Sequence, residues 1–83
     1  MYLHLGNDAV VLKETVVGIF DLDTSTVSKH TRSYLASAER EGRVVTVSSE
    51  LPRSFVAAEE NGNITVYISQ LSSQTLLKRY TSN

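Results

Sequence analysis

The absence of cysteine from a chain of only 83 residues is the feature that most limits how this sequence can fold. A single core of this size supplies only about 3–5 kcal/mol, so small domains usually depend on disulfides, a structural metal or an oligomeric interface. Without cysteine, a disulfide framework, a cysteine-ligated zinc site and a thiol nucleophile are all excluded. We therefore expect one domain, residues 1–83, that is stabilised by forming a homo-oligomer.

The balance of residue types is that of a globular protein. Apolar residues make up 41% of the chain and charged residues 20%, which excludes a disordered tail. No apolar run approaches the roughly 18 residues of a membrane span, and Met1 is not followed by the basic and apolar regions of a secretory signal. We expect a cytoplasmic protein that does not bind membranes.

Turn residues between short apolar segments predict two hairpins. Residues 2–5 and 9–12 flank the triplet Gly6-Asn7-Asp8, which favours a hairpin turn. Residues 55–58 and 64–69 flank a loop that contains Asn61-Gly62, the strongest local turn signal in the chain.

Two further strands are predicted at residues 16–20 and 43–48. Residues 16–20 are apolar without alternation, so we expect this strand to be covered on both faces, either by its own fold or by a neighbouring subunit. Gly18 within it predicts a bulge or a close backbone approach.

Two helices complete the expected fold. The first is predicted over residues 26–41, with Thr24 or Ser25 as its cap, Gly42 after its end, and an inward face of Val27, Tyr34, Leu35 and Ala38. The second, capped by Ser72 or Ser73, runs to Tyr80 with Leu76 and Leu77 inward. The order β-β-β-α-β-β-β-α predicts an α+β fold of antiparallel hairpins with one central helix and a short C-terminal helix.

Catalytic and metal chemistry find little support. His4 and His30 are the candidate general bases, and neither lies beside a nucleophile motif, so we do not expect an enzyme. Asp21 and Asp23 could give two oxygen ligands, but hard cations need about six, and helix capping explains both residues. The isolated glycines form no phosphate-binding loop, and we expect no cofactor.

One helix face is basic. At about 100° per residue, Lys29, Arg32, Ala36, Arg40 and Arg43 fall within a sector of roughly 80° and extend over about 20 Å. These cations are spaced suitably for DNA phosphates. The alternative is an ordinary solvated face, and a pair between Glu39 and Arg43 would weaken its field.

The beginning and the end of the chain resemble one known family. Residues 1–6 (MYLHLG), 16–21 (VVGIFD) and 68–79 (ISQLSSQTLLKR) resemble the bacterial extracellular matrix regulators of the RemA/RemB family, on the RemB side. The resemblance implies a transcriptional regulator that promotes biofilm-matrix genes in Firmicutes. In the RemA branch it further implies a ring-shaped homo-oligomer that binds DNA and has a fold similar to LytTR domains.

The resemblance also implies where DNA would be contacted. In the RemA branch the DNA-binding arginines lie in the turn after the second strand and in the loop before the fifth. The first maps to residues 13–15, where Thr15 stands at the arginine position and Lys13 is the nearest cation. The second maps to residues 51–54, which contain the single arginine Arg53.

Two hypotheses for the function follow. The first is a homo-oligomeric regulator that binds duplex DNA mainly through backbone electrostatics, with Lys13 and Arg53 from the family surface and Lys29 and Arg32 from the helix. The second is an oligomeric scaffold or adaptor that has lost DNA binding and acts through a protein partner, which the net charge of −1 favours.

Overall fold

The computed structural model describes residues 1–22 and 29–82, which contain six strands and two helices in the predicted order. The strands are β1 (Tyr2–Gly6), β2 (Ala9–Leu12), β3 (Val16–Asp21), β4 (Val44–Thr46), β5 (Ser54–Glu60) and β6 (Asn63–Ser69). The helices are α1 (Lys29–Arg40) and α2 (Ser73–Thr81), and a single 3-10 turn occupies Lys13–Thr15. The α+β class is confirmed. Neither described helix is long and apolar enough to cross a membrane.

Both predicted hairpins are confirmed. Strands β1 and β2 pair antiparallel as a separate two-stranded sheet, and their turn places Asn7 and Asp8 at φ 44° and 67°. Strands β5 and β6 pair along their whole length through Asn61-Gly62, whose φ values are 53° and 83°. Positive φ at both central residues is typical of the tight hairpin turn that asparagine and glycine favour.

The main sheet has four strands in the order β3-β5-β6-β4. Strand β3 is antiparallel to β5, but β4 is parallel to β6, a pairing that the expected arrangement of antiparallel hairpins did not include. Strands β3, β4 and β6 therefore all run in the same direction. Helix α1 lies between β3 and β4 in the chain, so it joins the two edge strands, whereas β5 lies in the chain between the parallel partners β4 and β6.

The main sheet is covered on both faces by different elements. On one face, which we call the hairpin side, the β1–β2 hairpin and α2 pack on the sheet around Leu3, Leu5, Val11, Val56 and Leu76. On the other, the helix side, α1 packs on it around Ala38, Phe55 and Val66. The neighbours Phe55 and Val56 separate in this way because successive strand residues point to opposite faces.

Buried serine hydroxyls join the hairpin to the main sheet. Ser69 Oγ donates to the carbonyl of Leu5 at 2.8 Å and accepts from the Leu71 N–H at 3.0 Å. Ser54 Oγ donates to the carbonyl of Leu71 at 2.7 Å. Both serines have no exposed surface, and their hydroxyls satisfy backbone groups that would otherwise be buried without partners.

In helix α2 the predicted cap at Ser72 is confirmed, but the predicted burial of Leu77 is wrong. Ser72 is the N-cap and accepts from the Thr75 N–H at 3.1 Å. Leu76 is fully buried, but Leu77 is 55% exposed, so the prediction of two inward leucines was wrong for Leu77. Adjacent helical residues differ by about 100°, and the narrow contact of α2 buries only one of them.

Helix α1 confirms its predicted end. It finishes at Arg40, and Gly42 follows with φ 71°, the left-handed conformation expected after a helix. Ala38 is buried and Leu35 half-buried, whereas Tyr34 is exposed, which corrects its assignment to the inward face. The predicted start at residues 26–28, with Val27, the caps Thr24 and Ser25, and Asp23, lies outside the described residues.

Strand β3 contains the irregularity predicted at Gly18. Its register with β5 shifts between Val16 and Gly18, and a Cβ at Gly18 would lie 2.5 Å from the ring of Phe20. That ring stacks on Phe55 with centroids 4.7 Å apart. Val17 and Phe20 are exposed, so the chain does not itself cover both faces of this strand.

Candidate nucleic-acid interface

The four residues predicted to bind DNA lie at two opposite ends of the main sheet. Lys13 precedes β3, whose first residue Val16 pairs with Ala58. Arg53 precedes β5, whose first residue pairs with Asp21 at the far end of β3. At about 3.3 Å per residue the two ends are roughly 17 Å apart. One chain therefore does not bring Lys13 and Arg53 onto a common surface.

The backbone of Arg53 is fixed on both sides, and its side chain is exposed. Its N–H donates to the carbonyl of Ser69 at 2.9 Å, and its carbonyl accepts from the Leu22 N–H at 3.0 Å. These bonds hold the residue at the edge where β3 and β6 end and β5 begins. The guanidinium is consequently presented from a rigid support.

Lys29 and Arg32 lie at the same end of the sheet as Arg53. The start of α1 lies beside the last part of β3, since His30 lines a groove with Phe20 and Phe55. Phe20 and Phe55 pair next to the end of the sheet where Arg53 precedes β5. Lys29 and Arg32 occupy the first described turn of α1, and both are exposed. The structure thus groups three of the four predicted residues, and we call Lys29, Arg32 and Arg53 the basic end.

The three cations of the basic end have no partner among residues 1–22 and 29–82: no hydrogen bond or ion pair engages their side chains there. Two acids, Asp21 and Glu50, lie at the same end of the sheet and reduce its positive potential. The carboxylate of Asp21 accepts a hydrogen bond from Ser73 Oγ at 3.3 Å.

The helical stripe is shorter than predicted because Arg43 does not belong to it. Arg43 follows the helix, and its guanidinium donates to Glu41 Oε1 at 2.9 Å and to the carbonyl of Ile64 at 2.7 Å. The described pairing is with Glu41, whereas Glu39 was expected. The remaining cations of the stripe, Lys29, Arg32 and Arg40, extend over about 16 Å at 1.5 Å per residue and are exposed.

Lys13 is already occupied in the folded chain. It is half-buried in the 3-10 turn, and its Nζ donates to the carbonyl of Ser82 at 2.6 Å. Thr15, at the position where the family resemblance places an arginine, donates from Oγ1 to the carbonyl of Leu12 at 2.7 Å. Both side chains stabilise the turn and the end of α2.

Lys13 shares a polar cleft of about 620 Å³ with residues from both ends of the chain. Tyr2, His4 and Arg79 also line this cleft, and Arg79 Nη1 donates to the carbonyl of His4 at 3.3 Å. The sequence showed Lys78 and Arg79 near the end of a helix, but nothing local indicates that α2 returns to Lys13. The proximity of Lys13 and Arg79 is a result of tertiary packing.

The histidines are not assembled into a catalytic or metal site by the described chain. His4 lies in the polar cleft, whereas His30 borders a groove beside Tyr34 on the helix side. In the part of the chain that the structure describes, no group of three metal-ligating side chains comes together.

Comparison with known proteins gives one informative similarity. No family model matches the sequence. Extracellular matrix regulatory protein B of Bacillus subtilis (strain 168) is 38% identical over 79 residues, and the alignment covers 95% of this chain and 89% of that protein. The alignment therefore spans most of the hairpins and helices and the positions of the basic end.

Proposed function

The chain belongs to the RemA/RemB family of bacterial extracellular matrix regulatory proteins, and we propose that it is a homo-oligomeric transcriptional regulator that binds duplex DNA. The relative's name refers to regulation of the extracellular matrix, and the targets in this proposal are the biofilm-matrix genes that the family resemblance implies. The observation that carries the DNA-binding part is the basic end, where Lys29, Arg32 and Arg53 are exposed and have no described partner within the chain.

The basic end suits the phosphate backbone better than base edges. Its cations come from the first described turn of α1 and from the loop before β5, and the single Arg53 stands where the resemblance implies a DNA-binding loop. Phosphate contacts position a protein on duplex DNA but do not themselves distinguish sequences. We therefore expect most of the affinity to be electrostatic and strongly dependent on salt.

Lys13 has a smaller part in this proposal than Arg53. Its ammonium group must give up the 2.6 Å hydrogen bond to Ser82 before it can contact a phosphate with the same geometry. The cations of the basic end surrender no described bond. Substitution of Lys13 should consequently weaken DNA binding less than substitution of Arg53.

Oligomerisation would compensate for the small number of contacts per chain. The net charge is −1, and three cations in one copy give only a modest attraction to DNA. When several copies are joined, binding of the second basic end becomes intramolecular, and the overall affinity can rise by about 10²–10⁴. DNA binding and self-association are therefore linked in this proposal.

A protein adaptor is the second candidate. The acidic residues Asp21 and Glu50 at the basic end and Thr15 at the expected arginine position favour it. Such a protein would form the oligomer but would not bind duplex DNA even at low salt.

The decisive experiment is a salt titration of binding to a fluorescently labelled DNA duplex. Fluorescence anisotropy measured between about 50 and 200 mM salt gives the slope of log K against log salt. In the variant Lys29→Ala/Arg32→Ala/Arg53→Ala, the slope of log K against log salt should become less negative by about 2.7 for each bound subunit. Each lost phosphate contact removes about 0.9 from that slope. Its affinity should fall for every duplex sequence.

The matched control is Lys78→Ala, which removes an exposed cation at the opposite end of the sheet. This variant should keep the wild-type slope. A triple variant with an unchanged slope would overturn the assignment to the basic end. A wild-type protein that does not bind any duplex at the lowest salt would favour the adaptor.

A further inference from the structure

The polar cleft has the size of a site for a small molecule. Residues of β1, of the turn that follows it and of the end of α2 line it, together with Lys13. Its volume of about 620 Å³ lies within the range of roughly 300–1,000 Å³ that is typical of ligand pockets. The charges along its walls indicate what kind of molecule it would bind.

Two cations meet at one end of the cleft. Lys13 Nζ donates to the carbonyl of Ser82 at 2.6 Å, and Arg79 Nη1 donates to the carbonyl of His4 at 3.3 Å. Arg79 and Ser82 are three residues apart at the end of α2 and therefore lie on the same side of the helix. We call Lys13 and Arg79 the cation pair.

The bonds of the cation pair hold the side chains without neutralising them. Both acceptors are backbone carbonyls, and no carboxylate of residues 1–22 and 29–82 forms an ion pair with Lys13 or Arg79. An ammonium group has three donors and a guanidinium group has five, so most of their donors are left over. The cation pair therefore presents positioned N–H groups to the cleft.

Nearby acids do not cancel this charge. Glu14 pairs with the ammonium group of Met1 at 3.5 Å. Asp8 also lines the cleft, but five residues of β2 and its ends separate it from Lys13, which is roughly 16 Å at about 3.3 Å per residue. The end of α2 contributes about half an elementary negative charge, which is less than the two positive charges beside it.

An exposed aromatic ring lies next to the cation pair. Tyr2 lines the cleft and is 59% exposed. The N–H of Lys13 donates to the carbonyl of Met1 at 2.9 Å, which brings the backbone of Lys13 beside that of Tyr2. Aromatic rings stack on planar ring systems, so a stacking surface and an anion-binding group are neighbours in the cleft.

We propose that the polar cleft binds a phosphorylated small molecule with an aromatic ring, of the type that a mononucleotide represents. The phosphate contacts the cation pair, since the fork of a guanidinium group and the point charge of an ammonium group both suit phosphate oxygens. The ring stacks on Tyr2. The inference goes beyond the proposed function, because Lys13 and the basic end lie at opposite ends of the main sheet.

The test is a titration of the ¹⁵N-labelled protein with adenosine monophosphate, followed by NMR. A salt concentration of about 150 mM shortens the Debye length to about 8 Å and screens unspecific attraction. Saturable shifts are expected at the amides of Tyr2, Lys13 and Arg79. Adenosine, which lacks the phosphate, and inorganic phosphate, which lacks the ring, should each bind at least about tenfold more weakly.

Substitutions separate the two parts of the ligand. Arg79→Gln should weaken binding of adenosine monophosphate about tenfold, because it removes charged donors from the phosphate. Tyr2→Leu should weaken it by a similar factor but leave the affinity for inorganic phosphate unchanged. Lys78→Ala is the matched control, since Lys78 is an exposed cation of the same helix that does not line the cleft, and it should keep the wild-type affinity.

Lys13→Met provides a second removal of charge and should also weaken binding about tenfold. If this variant loosens the end of α2, the exposed position of Arg79 still allows the test. A wild-type protein without saturable shifts, or an Arg79→Gln affinity equal to that of Lys78→Ala, would overturn the proposal. Equal affinities for adenosine monophosphate and inorganic phosphate would overturn the aromatic part and with it the proposed class of ligand.

Anisotropy with labelled duplex DNA separates this inference from the proposed function. Arg79→Gln should keep the wild-type slope of log K against log salt, and the triple variant of the basic end should keep the wild-type affinity for adenosine monophosphate. An Arg79 variant that loses duplex binding instead would assign the cleft to DNA phosphates and overturn the small-molecule site. A protein that binds adenosine monophosphate but no duplex would support the cleft and refute the proposed function.

Discussion

The hairpin side and the helix side of the main sheet differ in how completely they are packed. On the hairpin side, Leu3 and Leu5 of β1 and Leu76 of α2 have no exposed surface. On the helix side, Ala38 is the fully buried residue that the described part of α1 supplies, and the aromatic ring of Phe20 is partly exposed. Fully buried leucines fill one face, whereas the helix that covers the other contributes the methyl group of Ala38 and the half-buried Leu35.

This difference indicates that the two faces contribute unequally to stability. Burial of a leucine side chain contributes about 1.5–3 kcal/mol, and a buried alanine methyl group contributes much less. The hairpin side should therefore hold most of the folding free energy. The helix side keeps an open groove beside β3, lined by Val17, Phe20 and Tyr34.

The strongest test of the comparison is to remove a leucine from each side. Leu76→Ala on the hairpin side should lower the free energy of unfolding by about 3–4 kcal/mol, because it leaves a cavity in a closed core. Leu35→Ala on the helix side should lower it by about 1 kcal/mol, because Leu35 is only half-buried. Urea unfolding followed by circular dichroism at one protein concentration gives both values. Equal losses would contradict the comparison.

A second test addresses the hydrogen bonds that attach the hairpin to the main sheet. Ser69→Ala leaves the Leu5 carbonyl and the Leu71 N–H without their described partner. We expect a loss of about 2 kcal/mol, as for other unsatisfied buried groups. Ser49→Ala, at an exposed position, is the control and should stay within about 0.5 kcal/mol of the wild-type protein in the same urea titration.

A third test concerns the tight packing at β3 on the helix side. Gly18→Ala places a methyl group within 2.5 Å of the Phe20 ring, which must leave its stack on Phe55. We expect a loss of about 1–2 kcal/mol. In the background of Phe20→Ala the same substitution should cost less, because the clashing ring is gone. Additive losses in a double-mutant cycle would show that the ring does not cause the strain.

The smallest expected effect is at the cap of α2. Ser72→Ala removes the acceptor of the Thr75 N–H and should lower the free energy of unfolding by about 1 kcal/mol. Gln74→Ala, an exposed change in the same helix, should have almost no effect. A cap variant as stable as the Gln74 variant would mean that packing of Leu76 alone holds the helix in place.

Local sequence signals predicted the elements because the responsible physics is local. The asparagine and glycine residues of the two hairpin turns, Gly42 after α1 and Ser72 before α2 each fix the backbone of their own neighbourhood. The same is true of the bulge at Gly18. These predictions needed no knowledge of the partners of each strand.

Predictions that depended on packing were less successful. Tyr34 and Leu77 were expected inside because their spacing fits an apolar face, but α1 and α2 each bury a narrower stripe than the pattern allows. The parallel pairing of β4 with β6 has no local signature. For the same reason, the sequence alone could not predict that Lys29 and Arg32 lie near Arg53 and away from Lys13. That arrangement depends on the order and direction of the strands.

The order of strands in the main sheet has a consequence for synthesis on the ribosome. The two central strands, β5 and β6, are the last to be translated, whereas the edge strands β3 and β4 emerge before their partners. No pairing of the main sheet can form until most of the chain has left the exit tunnel. The nascent protein must therefore keep its early apolar strands from aggregating until the final hairpin arrives and recruits them.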